Sequence, residues 1–217
     1  DVTWCVAISS HGRYWAAGNR RGEIRVWEQE GQTLHLIWQA HTDTTYALAF
    51  SPDERILAST SWDRTVKLWD LETGNLLWTA WHTDSCNCLA FTPDGHTLAS
   101  SGDDAVIRLW ETASGTPIQA QTISTSAVYS LIWSPDGKLL TSCCKDGSLH
   151  LWQFQPPGSL RYTKTLTGHP DLVPCLAIPP TAPTLSVAVG MARSNSGISP
   201  VDGCASSRLD AGKSYAP

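Results

Sequence analysis

The sequence predicts an all-β protein built from repeated four-stranded antiparallel units set around a common axis. Three observations predict it. Trp27, Trp69, Trp110 and Trp152 close similar phrases at spacings of 42, 41 and 42 residues. Nineteen residues before each stands an apolar residue, Ile8, Phe50, Phe91 or Trp133, that ends a short strand-like run. Each run is followed by SSHG, SPDE, TPDG or SPDG, turns whose Pro, Asp and Gly supply fixed or positive φ. Self-similarity at a period of about 40–45 residues marks a radial or stacked array.

The units follow one another along the chain. The first, about residues 1–40, carries YWAAGNRRGEIRVWE from Tyr14 to Glu28. The second, 41–81, carries ILASTSWDRTVKLWD from Ile56 to Asp70 and shows the grammar most plainly. Its strands are expected at Thr45–Phe50, Ile56–Thr60, Val66–Trp69 and Leu76–Ala80, divided by turns at Ser51–Asp53, Ser61–Arg64 and Glu72–Asn75. The third, 82–123, carries TLASSGDDAVIRLWE, and the fourth, 124–168, carries LLTSCCKDGSLHLWQ. A fifth begins at 169–178 with TGHPDLVPCLAI around His169. One such sheet cannot bury both faces, so the units must pack face to face.

These residues resemble the WD40 repeat family of β-propellers, over Asp1 to about Ile178. The resemblance implies a WD40-type propeller of about four four-stranded blades plus the start of a fifth, incomplete as a ring. It also implies a buried polar clamp in each blade, made of His, Ser or Thr, Asp and Trp. The second blade matches with His41, Ser59, Asp63 and Trp69, and the third with His82, Ser100, Asp104 and Trp110. The fourth keeps Ser142, Asp146 and Trp152 but has Ser124 at the His position. The first has Ala17 and Arg21 at the Ser and Asp positions, so its blade is expected to lack the clamp and to be looser. Imidazole, carboxylate, hydroxyl and indole N–H can satisfy one another when buried, and each alone would be costly.

Residues 179–217 break the pattern: they hold no Trp, and Gly197 stands where the spacing from His169 asks for one. Composition alone describes an irregular, solvated tail. Reading codons from the third base of one residue plus the first two of the next restores the repeat. That frame admits SPDGTHFVSGGWDGTVKFWDL, with Asp, Ser and Trp at the spacings of the other units. A single-base slip near Ile178 is therefore expected, with the tail an out-of-frame translation of the fifth repeat, and the underlying DNA tests it. The chain opens on Asp1 and its one Met is Met191, which suggests a piece of a longer or processed product.

Composition narrows the function. With 217 residues, a formal charge of −5, 41% apolar and 16% charged residues, the chain reads as folded. It carries neither the basic surface of a nucleic-acid binder nor a span-length apolar run for a membrane. Seven Cys without framework spacing point to a reducing compartment, the cytoplasm. His82 with Cys86 and Cys88, and Cys143 and Cys144 with His150, are the nearest approach to a metal set. His82 fits the clamp, however, and the thiols alternate along strands or point to opposite faces, so no metal or other cofactor is expected. No phosphate loop or nucleophile elbow occurs, and no catalytic residue is expected.

What varies from unit to unit is the residue before the turn Asp: Arg20, Trp62, Asp103 and Lys145, with Arg64 just after it in the second unit. These turns should gather on one rim, free of packing duty. Trp62 beside Arg64 has the make-up of an interface hot spot, unless Trp62 packs over its neighbouring blade. The expected function is a non-catalytic scaffold for protein partners, which include the missing repeats or domains of its own longer protein. The alternative is the C-terminal sensor or regulatory repeat region of a larger signalling NTPase or kinase.

Overall fold

In a computed structural model, residues 2–29, 33–123, 126–155 and 158–167 are described, together with the backbone of a short pair, Val187–Ala188 with Ser206–Ser207. The start of the fifth repeat and the out-of-frame reading of the tail lie outside the described residues.

Sixteen strands form four antiparallel meanders. Blade 1 holds β1 (Thr3–Ile8), β2 (Tyr14–Asn19), β3 (Glu23–Glu28) and β4 (Thr33–Gln39). Blade 2 holds β5 (Thr45–Phe50), β6 (Ile56–Ser61), β7 (Thr65–Asp70) and β8 (Leu76–Trp81). Blade 3 holds β9 (Cys86–Phe91), β10 (Thr97–Gly102), β11 (Val106–Glu111) and β12 (Pro117–Thr122). Blade 4 holds β13 (Val128–Trp133), β14 (Leu139–Cys144), β15 (Leu149–Gln155) and β16 (Ser159–Leu166). The expected strands of the second unit are met to within a residue at each end.

The core lies between blades. Tyr14, Ala16, Ile24 and Val26 of blade 1 pack on Leu57, Trp69 and Leu71 of blade 2, joined by Leu36, Trp38, Leu48 and Phe50. Ala58, Val66, Leu68 and Ala80 of blade 2 pack likewise on Cys86, Leu89, Leu98 and Trp110. Ala99, Ile107 and Leu109 of blade 3 meet Val128, Leu131, Leu140 and Trp152. The closing Trp of blades 2, 3 and 4 therefore seals a junction. In the first of these, Trp38 stacks on Trp69 with ring centroids 5.0 Å apart, and the Trp38 indole N–H donates to the Gly74 carbonyl at 2.8 Å. The first strands β1, β5, β9 and β13 approach one another in succession, as the inner strands of a propeller do.

The first strand of every blade carries a β-bulge in the same place. The register slips between Thr3 and Cys5, Thr45 and Ala47, Cys86 and Cys88, and Val128 and Ser130. The extra residues are Trp4, Tyr46, Asn87 and Tyr129, each released from ladder pairing and re-aimed. The bulge also sends Cys86 and Cys88 to opposite faces, into the blade 2–3 and blade 3–4 cores respectively.

Candidate functional site

The clamp forms in full in blade 2. The strap after β4 brings His41 into the next blade, where its Nε2 lies 2.8 Å from the Ser59 hydroxyl and its Nδ1 3.0 Å from the Asp63 carboxylate. The Trp69 indole N–H donates to Ser59 at 3.0 Å, and the Thr42 N–H donates to Asp63 at 3.0 Å. One assignment of protons satisfies all four groups: Trp69 donates to Ser59, Ser59 to His41 Nε2, and His41 Nδ1–H to Asp63.

Blade 3 repeats the residues with a fifth member. His82 Nε2 lies 2.8 Å from Ser100, and the Trp110 N–H donates to Ser100 at 2.7 Å. Arg108 donates to Asp104 at 2.6 Å and reaches to 2.7 Å from His82 Nδ1. The same Nδ1 lies 3.2 Å from the Asp104 carboxylate, so His82 and Arg108 share one acceptor. The two histidines thus face the same partners, and Arg108 in place of Lys67 adds a cation to the blade 3 clamp. Lys67 instead donates to the Ala40 carbonyl at 2.6 Å.

Blade 4 departs from the expected set. Trp152 still donates to Ser142 at 3.1 Å, but Asp146 turns to Ser148 and is not joined to that pair. His150, at the position of Lys67 and Arg108, lies 3.1 Å from the Ser148 hydroxyl and 2.8 Å from Thr165. An imidazole from β15 therefore joins the turn, to which the strap adds the Ser126 hydroxyl, accepting the Asp146 N–H at 3.1 Å; Ser124 lies outside the described residues. In blade 1, Ala17 leaves Trp27 without a hydroxyl, as expected. Asn19 takes over the turn, accepting the N–H groups of Arg21 and Glu23 at 2.9 and 3.0 Å.

Burial holds His41 and His82 below the ordinary imidazole value, against the pull of Asp63 and Asp104. Burial works against the carboxylates too. For Asp63, hydrogen bonds from His41 and Thr65 outweigh it; for Asp104, His82 and Arg108 do. Both carboxylates are held well below their usual range. The unfolded chain therefore binds more protons than the folded one in two windows. As pH falls, stability declines first from about 6.5, where unfolded imidazole protonates, and again below about 4 as the carboxylates are protonated. A urea midpoint measured across pH should fall in both windows; a midpoint that rises between pH 7 and 5 would contradict the neutral histidines.

The strap is held by Gly22, whose carbonyl accepts the N–H groups of both Ala40 and His41 at 3.0 Å. Its φ is +79°, and a Cβ there would sit 2.2 Å from the His41 carbonyl oxygen. Gly22→Ala is expected to cost about 1–3 kcal/mol, read from urea unfolding. A loss within experimental error would count against this contact.

Above the clamps lies the variable rim. One backbone hydrogen bond recurs in every blade: Arg20 N–H to Val2, Trp62 to Thr44, Asp103 to Ser85 and Lys145 to Ala127, at 3.4, 3.1, 2.9 and 2.8 Å. It sets these four residues in equivalent places beside the bulge residues. Trp62 meets Trp4 at 5.7 Å and Tyr46 at 5.8 Å, while Trp4 and Tyr46 are 6.1 Å apart. Arg20 lies over Trp4 at 5.6 Å. Asp103 accepts from the Asn87 amide at 2.7 Å. Burial first, with the neighbouring Tyr129, Cys88 and Asp103, pushes the Tyr46 hydroxyl up to about 12, and burial with Asp103 also raises Tyr129.

Trp62 packs on the Trp4 ring of the neighbouring blade, the alternative to an interface role, and is half exposed. Arg64 is exposed on a turn at φ 71° and takes no part in the ring cluster. Trp4, Tyr46 and Tyr129 were not singled out from the sequence. The signal was there, since all three stand 23 residues before a closing Trp. Among the described residues, no group of three or more His, Cys, Asp or Glu converges to hold a metal. Burial raises the Cys86 and Cys88 thiols well above their ordinary value and Cys5 to about 12.

Four inter-packed meanders, tied by straps that reach into the next sheet, define a repeat protein of the β-propeller class. The sequence model of the WD domain, G-beta repeat, matches residues 1–28, 32–70, 74–111 and 115–153. The chain belongs to that family. It is 41% identical over 68 residues to the periodic tryptophan protein 2 homolog of Mus musculus, a match covering 31% of this chain and 7% of the relative. It is 39% identical over 66 residues to the denticleless protein homolog of Gallus gallus, covering 29% and 9%. It is 41% identical over 71 residues to the protein LST8 homolog of Drosophila melanogaster, covering 30% and 23%. The matches thus span less than a quarter of each of these relatives.

Proposed function

We propose that this chain is a non-catalytic recognition module that docks a protein partner on the rim built from the bulge and turn residues. The half-exposed triad Trp4, Tyr46 and Trp62 carries the reading. It offers rigid aromatic area at low conformational cost, flanked by Arg20 on one side and Asp103 on the other. Lys145 extends the same rim in blade 4. The buried serine–histidine pairs, Ser59 with His41 and Ser100 with His82, are engaged in the clamps, which supports a binding role. The acidic net charge favours protein over nucleic acid or an anionic membrane surface. Five cysteines among the described residues form no disulfide, which fits a cytoplasmic setting.

A photo-crosslinking residue at position 62 tests the proposal. It should capture a protein partner that the same residue at position 72, on the turn between β7 and β8 at the opposite rim, does not. Equal capture at both positions would reject the rim as the docking surface.

A further inference from the structure

The leading face of blade 1 is uncovered. Val6, Ile8 and Trp15 are 72, 62 and 50% exposed. Forty-two residues later, Leu48, Phe50 and Leu57 occupy the same registers, and there they are packed against blade 1. The face is patterned for the trailing side of another four-stranded sheet, which covers its counterpart at each of the three junctions in this chain.

A cleft of about 260 Å³ opens on the same blade, lined by Ala17, Asn19, Glu23, Arg25 and Trp27 among others. In register, Ala17 stands for Ser59 and Ser100, Arg25 for Lys67 and Arg108, and Trp27 for Trp69 and Trp110. The cleft is therefore the place that His41 and His82 fill in blades 2 and 3. Its chemistry is different. Asn19 Oδ1 is used by two backbone N–H groups, and Glu23 Oε1 by Arg25 at 2.7 Å. The Trp27 indole N–H has no hydrogen-bond partner among the described residues, and Arg25 brings further N–H groups. Donors are in excess, and the hydroxyl and carboxylate that orient a histidine elsewhere are replaced by Ala17 and Arg21.

We propose that this face and cleft seat one further four-stranded blade of a longer polypeptide, whose strap inserts a carboxamide or carboxylate where blades 2 and 3 take histidine. The relatives leave room for such a blade, since the matched part is 7–23% of their length. The inference rests on the fold and stands apart from the docking role of the rim.

The chain supplies its own probe. A second copy of residues 2–42 placed directly before Asp1 sets the copied His41 two residues ahead of Asp1, as His41 precedes Asp43. The copy carries Trp15→Phe, so that hydroxyl-radical labelling reports only the original Trp15. Three fusions are compared with the parent, bearing His41, His41→Gln or His41→Ala in the copy. Labelling of Trp15 should slow several-fold in the fusions. The Gln fusion should melt about 3 °C above the Ala fusion, the shift of one hydrogen bond in a chain of this size, and the His fusion should gain nothing.

Unchanged labelling in well-folded fusions would overturn the seat. A His fusion that melts highest would overturn the acceptor. Parent sedimentation as a dimer, with Trp15 shielded only in the dimer, would give the face to a second copy instead. Should the fusions misfold, Trp15→Gln in the parent decides: a marked loss of stability would show the face already covered.

Discussion

Trp69→Ala is expected to lower the stability of the chain by about 3–5 kcal/mol, the range for deleting a buried aromatic side chain. The ring is 7% exposed, stacks on Trp38 across the blade 1–2 junction and donates to Ser59 inside the clamp. Its removal opens a cavity and leaves the buried Ser59 hydroxyl short of a donor. Trp27→Ala is the matched control. The same phrase residue in blade 1 is half exposed and holds no clamp, so about 1 kcal/mol is expected there. Urea unfolding of both variants against the parent measures the difference. Equal losses would mean that the clamp and the junction contribute nothing beyond the ring's own burial.

Trp62→Ala should act on binding and leave the fold alone. A half-exposed ring at the centre of an aromatic cluster is the kind of residue whose loss costs about 2 kcal/mol or more of binding, about a 30-fold rise in Kd. Tyr46→Ala should act in the same direction, because the two rings touch. Glu72→Ala on the opposite rim should change nothing. Titration calorimetry against the partner captured at position 62 reads all three, with thermal melts to confirm an unchanged fold. A Kd unaffected by Trp62→Ala would move the docking surface elsewhere.

The blade architecture was legible because its signals repeat. Four closing Trp residues in register gave the units, and Pro, Asp and Gly gave the turns. The clamps of blades 2 and 3 were legible for the same reason. The rewiring in blade 4 was not, because His150 stands two residues before Trp152 on a strand rather than in a strap, and only strand pairing brings it to Ser148 and Thr165. The rim was half legible. Turn residues such as Arg20, Trp62 and Asp103 follow from variation beside the turn Asp. The role of Trp4 and Tyr46 depends on a β-bulge, which turns an ordinary strand residue outward and leaves no mark in hydrophobic alternation. The entry of Arg108 into the blade 3 clamp follows from the reach of its side chain, which spacing alone does not encode.

Each complete clamp is closed by a strap that leaves the preceding blade, so the unit that melts is not the blade. His41 belongs in sequence to the end of blade 1 and in energy to blade 2; His82 links blades 2 and 3 in the same way. Blades 1 to 3 are thereby chained, blades 1 and 2 each lending the next a side chain that it cannot replace. Local opening of blade 1 withdraws the imidazole from blade 2, whereas blade 4 takes an imidazole from its own β15. In the language of one-dimensional arrays, the nearest-neighbour coupling is uneven along the chain. Fraying should run inward from blade 1 through the shared straps and reach blade 4 last, through the hydrogen bonds of Gln119 to Leu160 and of Trp133 to Ala90.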